Sequence, residues 1–359
     1  MLGTAVSEGQ IVKNIVVLSA ALIISAPALS HHSNAGLDME SVVTIEGTVT
    51  EFSWRNPHVY FMVESTNDRG EQTEWTVQLA STITVTRMGW NRESLLVGDW
   101  VTVKAHAARN GRPYAMMDST EKEGGIALPT SFDAISAEPI LVSSDTTAST
   151  STIEGTWMAD PAKLVSYPGG VDGFFTAQLR LTEQGQAAWT SYDEISEQNP
   201  YARCIGSPTP TLIVLTNIFP LEIQINEDEE TVVIRSEFLD DQRIVYMDGR
   251  QHPAEGDERT FAGHSIGWWE GETLVVDTKN FADHRSPYQN GVPSGAQKHV
   301  VERYRLNENG RRILVDFVLE DPEYLTEPLI HSRELIYAPQ MEISRFDCDL
   351  EAARRFLPQ

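Results

Sequence analysis

Residues 265–277, SIGWWEGETLVVD, decide the fold of the larger part of this chain. Two runs rich in tryptophan, leucine and valine flank the turn sequence EGE at 270–272. A glycine-containing turn between two strand-forming runs is typical of an antiparallel hairpin. The stretch therefore predicts paired strands at Ser265–Trp269 and Thr273–Asp277.

The same pattern recurs on both sides of this hairpin. Runs of branched and aromatic residues separated by turns predict a long antiparallel series, which favours a closed up-and-down barrel of the lipocalin-like kind. A β-sandwich is the alternative. The further predicted strands are Leu221–Ile225, Thr231–Phe238, Arg243–Tyr246, His299–Leu306, Arg311–Leu319 and His331–Tyr337, with helices at Thr182–Ser191 and Asp349–Phe356.

The part of the chain before this series predicts a second, smaller β unit. Val43, Ile45 and Val49 alternate with polar residues, as in a half-buried strand. Three strands, a short helix and a closing hairpin follow the order of a five-stranded OB-like barrel. The strands are predicted near 43–49, His58–Val63, Glu74–Leu79, Trp100–Ala105 and Tyr114–Asp118, with the helix at Ser81–Trp90.

Composition predicts where one unit ends and the next begins. Residues 124–152 contain a Ser/Thr/Ala-rich run without amphipathic period, which is typical of an exposed linker. The predicted division is a signal peptide at 1–30, an OB-like domain at 31–123, the linker at 124–152 and the lipocalin-like barrel at 153–359.

The N-terminus has the pattern of a cleaved export signal. Residues 15–26 are apolar, Lys13 precedes them, and the small residues Ala28 and Ser30 follow. Cleavage after Ser30 would make His31 the first residue of the mature protein. We therefore predict a periplasmic or secreted protein with no membrane span after cleavage.

The net charge excludes one class of binding partner, and the cysteine content predicts a disulfide. A formal net charge of −25 repels nucleic acid, so a role that follows the phosphate backbone is excluded. Cys204 and Cys348 are the two cysteines, and in an oxidising compartment they predict one disulfide. Two separate buried thiols are the alternative.

The N-terminal unit resembles a family of exported bacterial proteins of unknown function. The resemblance rests on the start HHSNAG at 31–36, the strand GTVTEFSW at 47–54 and the tripeptide Asn56-Pro57-His58. It implies an OB-like fold and no established activity.

The C-terminal unit resembles an uncharacterised group from environmental bacteria. Its motifs are DGRQHP at 248–253 and GHSIGWWEGETLVVDT at 263–278. This resemblance also implies no activity. Gly155-Thr156-Trp157 is similar to the Gly-x-Trp start of lipocalin-type barrels.

A histidine at the mature N-terminus suggests a metal site. The α-amine and imidazole of His31 would supply two nitrogens, and His58 or His106 would supply a third. Three nitrogen ligands suit copper, which an exported protein meets outside the cytosol. The alternative is that these histidines are exposed or hydrogen-bonded side chains without metal.

Asp248, Arg250 and His252 alternate along the chain after a predicted strand. If that strand continues, the three side chains project to one face and could hold a ligand or substrate. His252 would act as acid or base beside Asp248, with Arg250 as a binding residue. Because Asp248-Gly249 is also a turn signal, the alternative is a turn held by side-chain bonds.

The predicted strand His299–Leu306 carries polar side chains on both faces. His299 and Arg303 lie on one face and Glu302 on the other. Polar groups inside a barrel are normally justified by a ligand or by catalysis. We take His299 and Glu302 as catalytic candidates and Arg303 as a ligand-binding candidate, with an external ion pair as the alternative for Arg303.

The tryptophans of the central hairpin complete the candidate site. Trp268 and Trp269 are predicted to line a ligand cavity or to pack the core. Ser265 lies in the pattern G-x-S-x-G, but a nucleophile elbow requires a strand, a sharp turn and a helix. The predicted hairpin does not provide that context.

These observations predict an exported protein that binds a small amphipathic or apolar molecule in the larger barrel. The OB-like unit would serve as an accessory or as a docking site for a protein partner. One alternative is a cofactor-independent barrel enzyme, an isomerase, lyase or hydrolase that uses a His–carboxylate pair. Another is a structural protein of the cell envelope.

Overall fold

The two predicted barrels are both present. The computed structural model describes residues 36–67, 69–124, 128–129, 147–160, 163, 167, 170–254, 259–285 and 291–357. The predicted signal peptide and His31 lie outside the described residues.

The smaller barrel contains the strands that the alternating pattern predicted. The strands pair in the order β3-β2-β1-β4-β5-β6, and a further pairing of β3 with β5 closes the first five strands into a barrel. Its core includes Ile45, Phe61, Val77 and Val103, all nearly inaccessible to solvent. The elements are β1 (Val43–Ser53), β2 (Tyr60–Thr66), β3 (Gln72–Gln78), α1 (Thr82–Arg87), β4 (Trp100–Ala107), β5 (Tyr114–Lys122) and β6 (Leu128–Pro129).

The larger barrel is closed by nine strands in the order β10-β11-β12-β13-β14-β15-β7-β8-β9. Every pairing is antiparallel except that of β10 with β11. An odd number of strands in a closed ring cannot alternate in direction throughout, so one parallel pair is required. The strands are β7 (Gly155–Ala159), β8 (Leu221–Asn226), β9 (Thr231–Ser236), β10 (Gln242–Tyr246), β11 (His264–Glu270), β12 (Thr273–Lys279), β13 (His299–Leu306), β14 (Arg312–Glu320) and β15 (Leu329–Tyr337).

Among the described residues, four α-helices accompany this barrel. The predicted helices near 182–191 and 349–356 are present in shorter form, and the side chains of Thr182 and Asp349 cap their N-termini. Two further helices were not anticipated. The four are α2 (Gly170–Gln178), α3 (Glu183–Thr190), α4 (Thr211–Val214) and α5 (Leu350–Ala353).

Side chains that alternate along the strands fill the interior of the larger barrel. On β14, Ile313, Val315, Phe317 and Leu319 are buried and belong to one apolar cluster. A period of two residues places them on one face of the strand. The inner wall that β14 contributes is therefore apolar, and the interior ligand cavity stays a prediction.

The predicted disulfide is confirmed. Cys204 and Cys348 are bonded, with their Cα atoms 5.9 Å apart. The bond holds the C-terminal segment beside the smaller barrel, where Arg55 contacts Asp349 at 3.4 Å.

A buried ion pair also joins the two barrels. Arg87 of α1 lies 2.7 Å from Glu237, whose side chain is fully buried. The backbone N–H of Ser344 donates to the same carboxylate at 2.9 Å.

Within the described residues, each helix is too short or too polar to cross a bilayer.

Candidate functional site

Three imidazoles and one carboxylate form a hydrogen-bonded row on the larger barrel. Asp277 Oδ1 lies 2.9 Å from His252 Nε2, and Asp277 Oδ2 lies 2.9 Å from His299 Nε2. His252 Nδ1 lies 3.0 Å from His264 Nδ1. The structure thus brings together the two histidines that the sequence singled out, and it joins them through a carboxylate that the sequence did not assign.

Strand alternation places this row on the outer face of the barrel. On β12, Val276 and Thr278 are buried on either side of Asp277, which is partly exposed. On β13, the buried residue after His299 is Val300. Asp277 pairs with Val301, so His299 is its diagonal neighbour on the same face. His252 reaches the row from the loop that follows β10.

The hydrogen-bond chemistry fixes most of the protons. Because a carboxylate only accepts hydrogen bonds, His252 and His299 each donate an Nε2–H to Asp277. The facing Nδ1 atoms of His252 and His264 then share one proton. When His252 is neutral, the Nδ1–H of His264 donates a hydrogen bond to His252 Nδ1. The ring of His264 stacks on that of Tyr246, with the ring centroids 5.3 Å apart.

These contacts shift the pKa of the two central groups in opposite directions. Burial is the largest single influence on Asp277 and favours its neutral form, but hydrogen bonds from His252 and His299 together outweigh it and lower its pKa. The hydrogen bond to Asp277 raises the pKa of His299 against the opposing effect of partial burial. Hydrogen-bond donation by His299 to an ionised Asp277 is therefore favoured at neutral pH.

The row borders an open cleft of about 770 Å³. His299 is 24% exposed at the side chain, and its Nδ1 lies 3.4 Å from Glu320 Oε2, whose own side chain is half exposed. Clefts of this size are typical of small-molecule sites. The cleft is lined by Gln251, His252, Pro253, Lys279, Asn280, Ala296, Gln297, Lys298, His299, Glu320, Asp321, Pro322, Leu325, Thr326, Glu327 and Pro328.

Asp248 and Arg250 lie apart from this row. β10 ends at Tyr246, so the alternation expected beyond it is replaced by a loop. Arg250 donates to Asp248 at 2.6 Å, and its guanidinium lies 3.7 Å from the centre of the Tyr246 ring. Both members of the pair are partly exposed. The Asp248–Arg250 contact is the side-chain-stabilised turn that the sequence left open as the alternative.

The remaining binding candidates lie on the outer surface. Trp268 and Trp269 are 41% and 45% exposed. The indole N–H of Trp268 donates to Glu270 at 3.0 Å, and Arg303 forms an ion pair with the same carboxylate. None of these groups lines the cleft beside His299.

Glu302 faces the opposite side of β13, inside the barrel. It is fully buried and forms an ion pair with Arg243, which also donates to the hydroxyl of Tyr304 at 3.1 Å. Glu302 and His299 therefore point to opposite faces of one strand. Ser265 is also internal, 2.9 Å from the hydroxyl of Thr278.

The copper prediction depends on His31, which lies outside the described residues, and it stays a prediction. His58 Nδ1 lies 3.1 Å from the Leu79 carbonyl oxygen, and burial lowers the pKa of His58 to about 4. His106 Nδ1 lies 2.9 Å from the Ser41 carbonyl oxygen. In the described part of the chain, no three His, Cys, Asp or Glu side chains are grouped to hold a metal ion.

Comparison with known proteins extends to the smaller barrel alone. The model of a family of unknown function, DUF6152, matches residues 20–117. This match agrees with the resemblance of the N-terminal unit to an uncharacterised family, and it assigns no activity. No curated protein matches the chain.

Proposed function

We propose that the larger barrel binds a small polar molecule in its external cleft and that His299 transfers a proton to or from that molecule. The observation that carries this proposal is the contact of His299 Nε2 with Asp277 Oδ2 at 2.9 Å, at the wall of a cleft of about 770 Å³. It develops the enzyme alternative that the sequence left open, with Asp277 in the role considered for Asp248 or Glu302.

The pairing suits general acid–base catalysis for a physical reason. Asp277 accepts a hydrogen bond from the Nε2–H of His299, which fixes the orientation of the ring. In neutral His299 this leaves Nδ1 as the basic atom. A carboxylate partner also stabilises the imidazolium that forms when Nδ1 takes a proton. A positioned acid or base of this kind contributes about 10²–10⁴ in rate.

Binding without chemistry is the second candidate function. The larger barrel would then act as a carrier, with its ligand in the external cleft instead of the interior. The cleft is lined by ionisable side chains of both signs, among them Lys279 and Glu320, and these favour a polar ligand over the expected apolar one.

We also propose that the protein is exported to the periplasm or beyond. The apolar segment at 15–26 and the small residues that follow it support cleavage by a secretory pathway. The disulfide between Cys204 and Cys348 suits an oxidising compartment. The smaller barrel would be an accessory unit or the docking site for a protein partner.

Deuterium uptake tests the catalytic proposal across several classes of substrate at once. Wild-type protein is incubated in D₂O with a panel of small aldehydes, ketones and 2-hydroxy acids, and uptake at carbon is followed by NMR. We expect uptake into at least one compound and a loss of at least tenfold in His299→Gln. His106→Gln is the matched control, because His106 lies on the smaller barrel.

Each outcome separates the candidates. Uptake that needs His299 supports proton transfer. Saturable ligand-observed NMR signals that His299→Gln weakens, without uptake, support the carrier instead. Uptake unchanged by His299→Gln, or neither uptake nor binding, overturns the assignment of this cleft.

A further inference from the structure

Lys298 is a buried lysine among the residues that line the same cleft. The residue lines the cleft beside His299, and it is 2% exposed. Its Nζ lies 3.1 Å from the hydroxyl of Ser294 and 4.5 Å from the centre of the Phe281 ring. Buried lysines are rare because the charged amine loses its hydration.

A buried carboxyl group lines the cleft with it. Asp321 is 5% exposed, and its Oδ2 accepts the backbone N–H of Gly295 at 2.8 Å. Its Oδ1 is buried with no hydrogen-bond partner among the described residues. A Cβ on Gly295 would lie 2.3 Å from that Oδ1, so the turn before Lys298 requires glycine to pack against the carboxyl group.

Burial shifts both groups toward their neutral forms. It lowers the pKa of Lys298 to about 7, although the charge of Asp321 opposes the shift. Burial likewise raises the pKa of Asp321, against the Gly295 N–H and the charge of Lys298. A neutral amine has a lone pair for attack, and a carboxyl group with a raised pKa keeps its proton to a higher pH than an ordinary aspartate.

We propose that Lys298 captures an aldehyde or ketone in the cleft as an imine, with Asp321 as the proton donor. This inference rests on the proposed function, because both use the same cleft, and it names the chemical class of the substrate. Lys298 is the nucleophile and His299 is the base for the subsequent proton transfer.

The step balances without an oxidant or reductant. The lone pair on Nζ forms a bond to the carbonyl carbon as the C=O π bond opens, and one proton moves from the nitrogen to the oxygen to give a neutral carbinolamine. The C–O bond then breaks, and the oxygen accepts a proton from Asp321 and leaves as water. The product is a protonated imine on Lys298, and addition of water reverses the sequence.

An imine would explain why a base borders the cleft. The protonated C=N group withdraws electrons, so a hydrogen on the adjacent carbon becomes acidic. Nδ1 of His299 could remove this proton, and the electron pair would move toward the imine nitrogen as an enamine forms. This chemistry is that of isomerases and lyases that need no metal.

Reductive trapping tests the proposal. The full exported chain is incubated with hydroxyacetone or glyceraldehyde and cyanoborohydride, and the modified lysine is identified by peptide mass spectrometry. We expect one adduct per chain, at Lys298, with a rate that saturates as the probe concentration rises. Lys104→Met is the control, because Lys104 is an exposed lysine on β4 of the smaller barrel and does not line the cleft.

Adducts spread over exposed lysines, with Lys298 unmodified, would overturn the proposal. Lys298→Met should abolish the saturable adduct while circular dichroism reports an intact β fold, and an adduct that persists in this variant also counts against it. Deuterium uptake that needs His299 while Lys298 stays unmodified removes the imine and keeps the acid–base function. Trapping at Lys298 without any uptake removes the acid–base function and keeps the imine.

Discussion

Replacing Lys298 by methionine should stabilise the protein at neutral pH. The pKa of Lys298 falls from the ordinary 10.5 to about 7 when the chain folds. Between these values the unfolded chain binds the proton that the folded chain has released, so the unfolding free energy rises with pH. Methionine is similar in length, has no charge, and removes this dependence.

The magnitude follows from the linkage relation. One pKa unit corresponds to about 1.4 kcal/mol, so Lys298 lowers the stability by about 4 kcal/mol at pH 7.5 and about 1.4 kcal/mol at pH 9.5. The wild type should therefore gain about 2.5 kcal/mol relative to Lys298→Met over this range. The comparison cancels the titrating groups that do not interact with Lys298, because both proteins contain them.

Urea unfolding at the two pH values measures this difference. The same measurement on Lys279→Met, at an exposed position, should reproduce the wild-type pH dependence. If wild type and Lys298→Met show parallel unfolding free energies from pH 7.5 to 9.5, Lys298 does not carry a depressed pKa. The physical argument for a neutral amine at this position would then be refuted.

Three further predictions concern the ion pairs and the site. Arg87→Met should lower the unfolding free energy, measured in urea, by about 3 kcal/mol, because it leaves Glu237 buried without its charged partner. Arg243→Met should cost about 3–5 kcal/mol, and the further change Glu302→Leu should restore most of it. His299→Gln should lower the unfolding free energy below about pH 6.5. That loss should fade as the pH rises through the raised pKa of His299, and a pH-independent loss would contradict the assignment.

The fold could be predicted because burial follows the sequence with a period of two. β13 has the predicted bounds, His299–Leu306, and its buried residues Val300, Glu302 and Tyr304 alternate with the partly exposed ones. The strand pairing that closes the ring could not be predicted from the sequence in the same way. The parallel pair between β10 and β11 depends on the number of strands in the ring and not on any local pattern.

The site was predicted in part for a similar reason. The candidates His252 and His299 both contact Asp277. The sequence pattern places Asp277 at the end of a strand and does not indicate that it is their shared partner. A signal was present: Asp277 is a polar residue at the end of one predicted strand, and the polar residue His264 immediately precedes the adjacent one. Strand register, which brings Asp277 diagonal to His299, is set by pairing across the sheet and cannot be obtained from one strand alone.

The Asn56-Pro57-His58 motif illustrates how a distinctive motif can have a structural role. Asn56 accepts hydrogen bonds from the backbone N–H and hydroxyl of Thr82, at 2.8 and 2.9 Å, at the start of α1. Its amide donates to the carbonyl oxygen of Phe346, in the segment that holds the disulfide. His58 is held by the Leu79 carbonyl oxygen. The motif thus connects the smaller barrel to the C-terminal segment.

On β13, the side chains that pack in the core and the side chain at the cleft lie on opposite faces of the strand. Its inward side chains, among them Glu302 and Tyr304, complete a buried network around Arg243 that fills the barrel. Its outward side chain at the cleft, His299, contributes to the hydrogen-bonded row through Asp277. Because side chains of the two faces point to opposite sides of one strand, substitutions on the outer face are expected to alter the cleft while the core stays packed. The outer face of this barrel is therefore where a new activity could evolve at little cost to the fold.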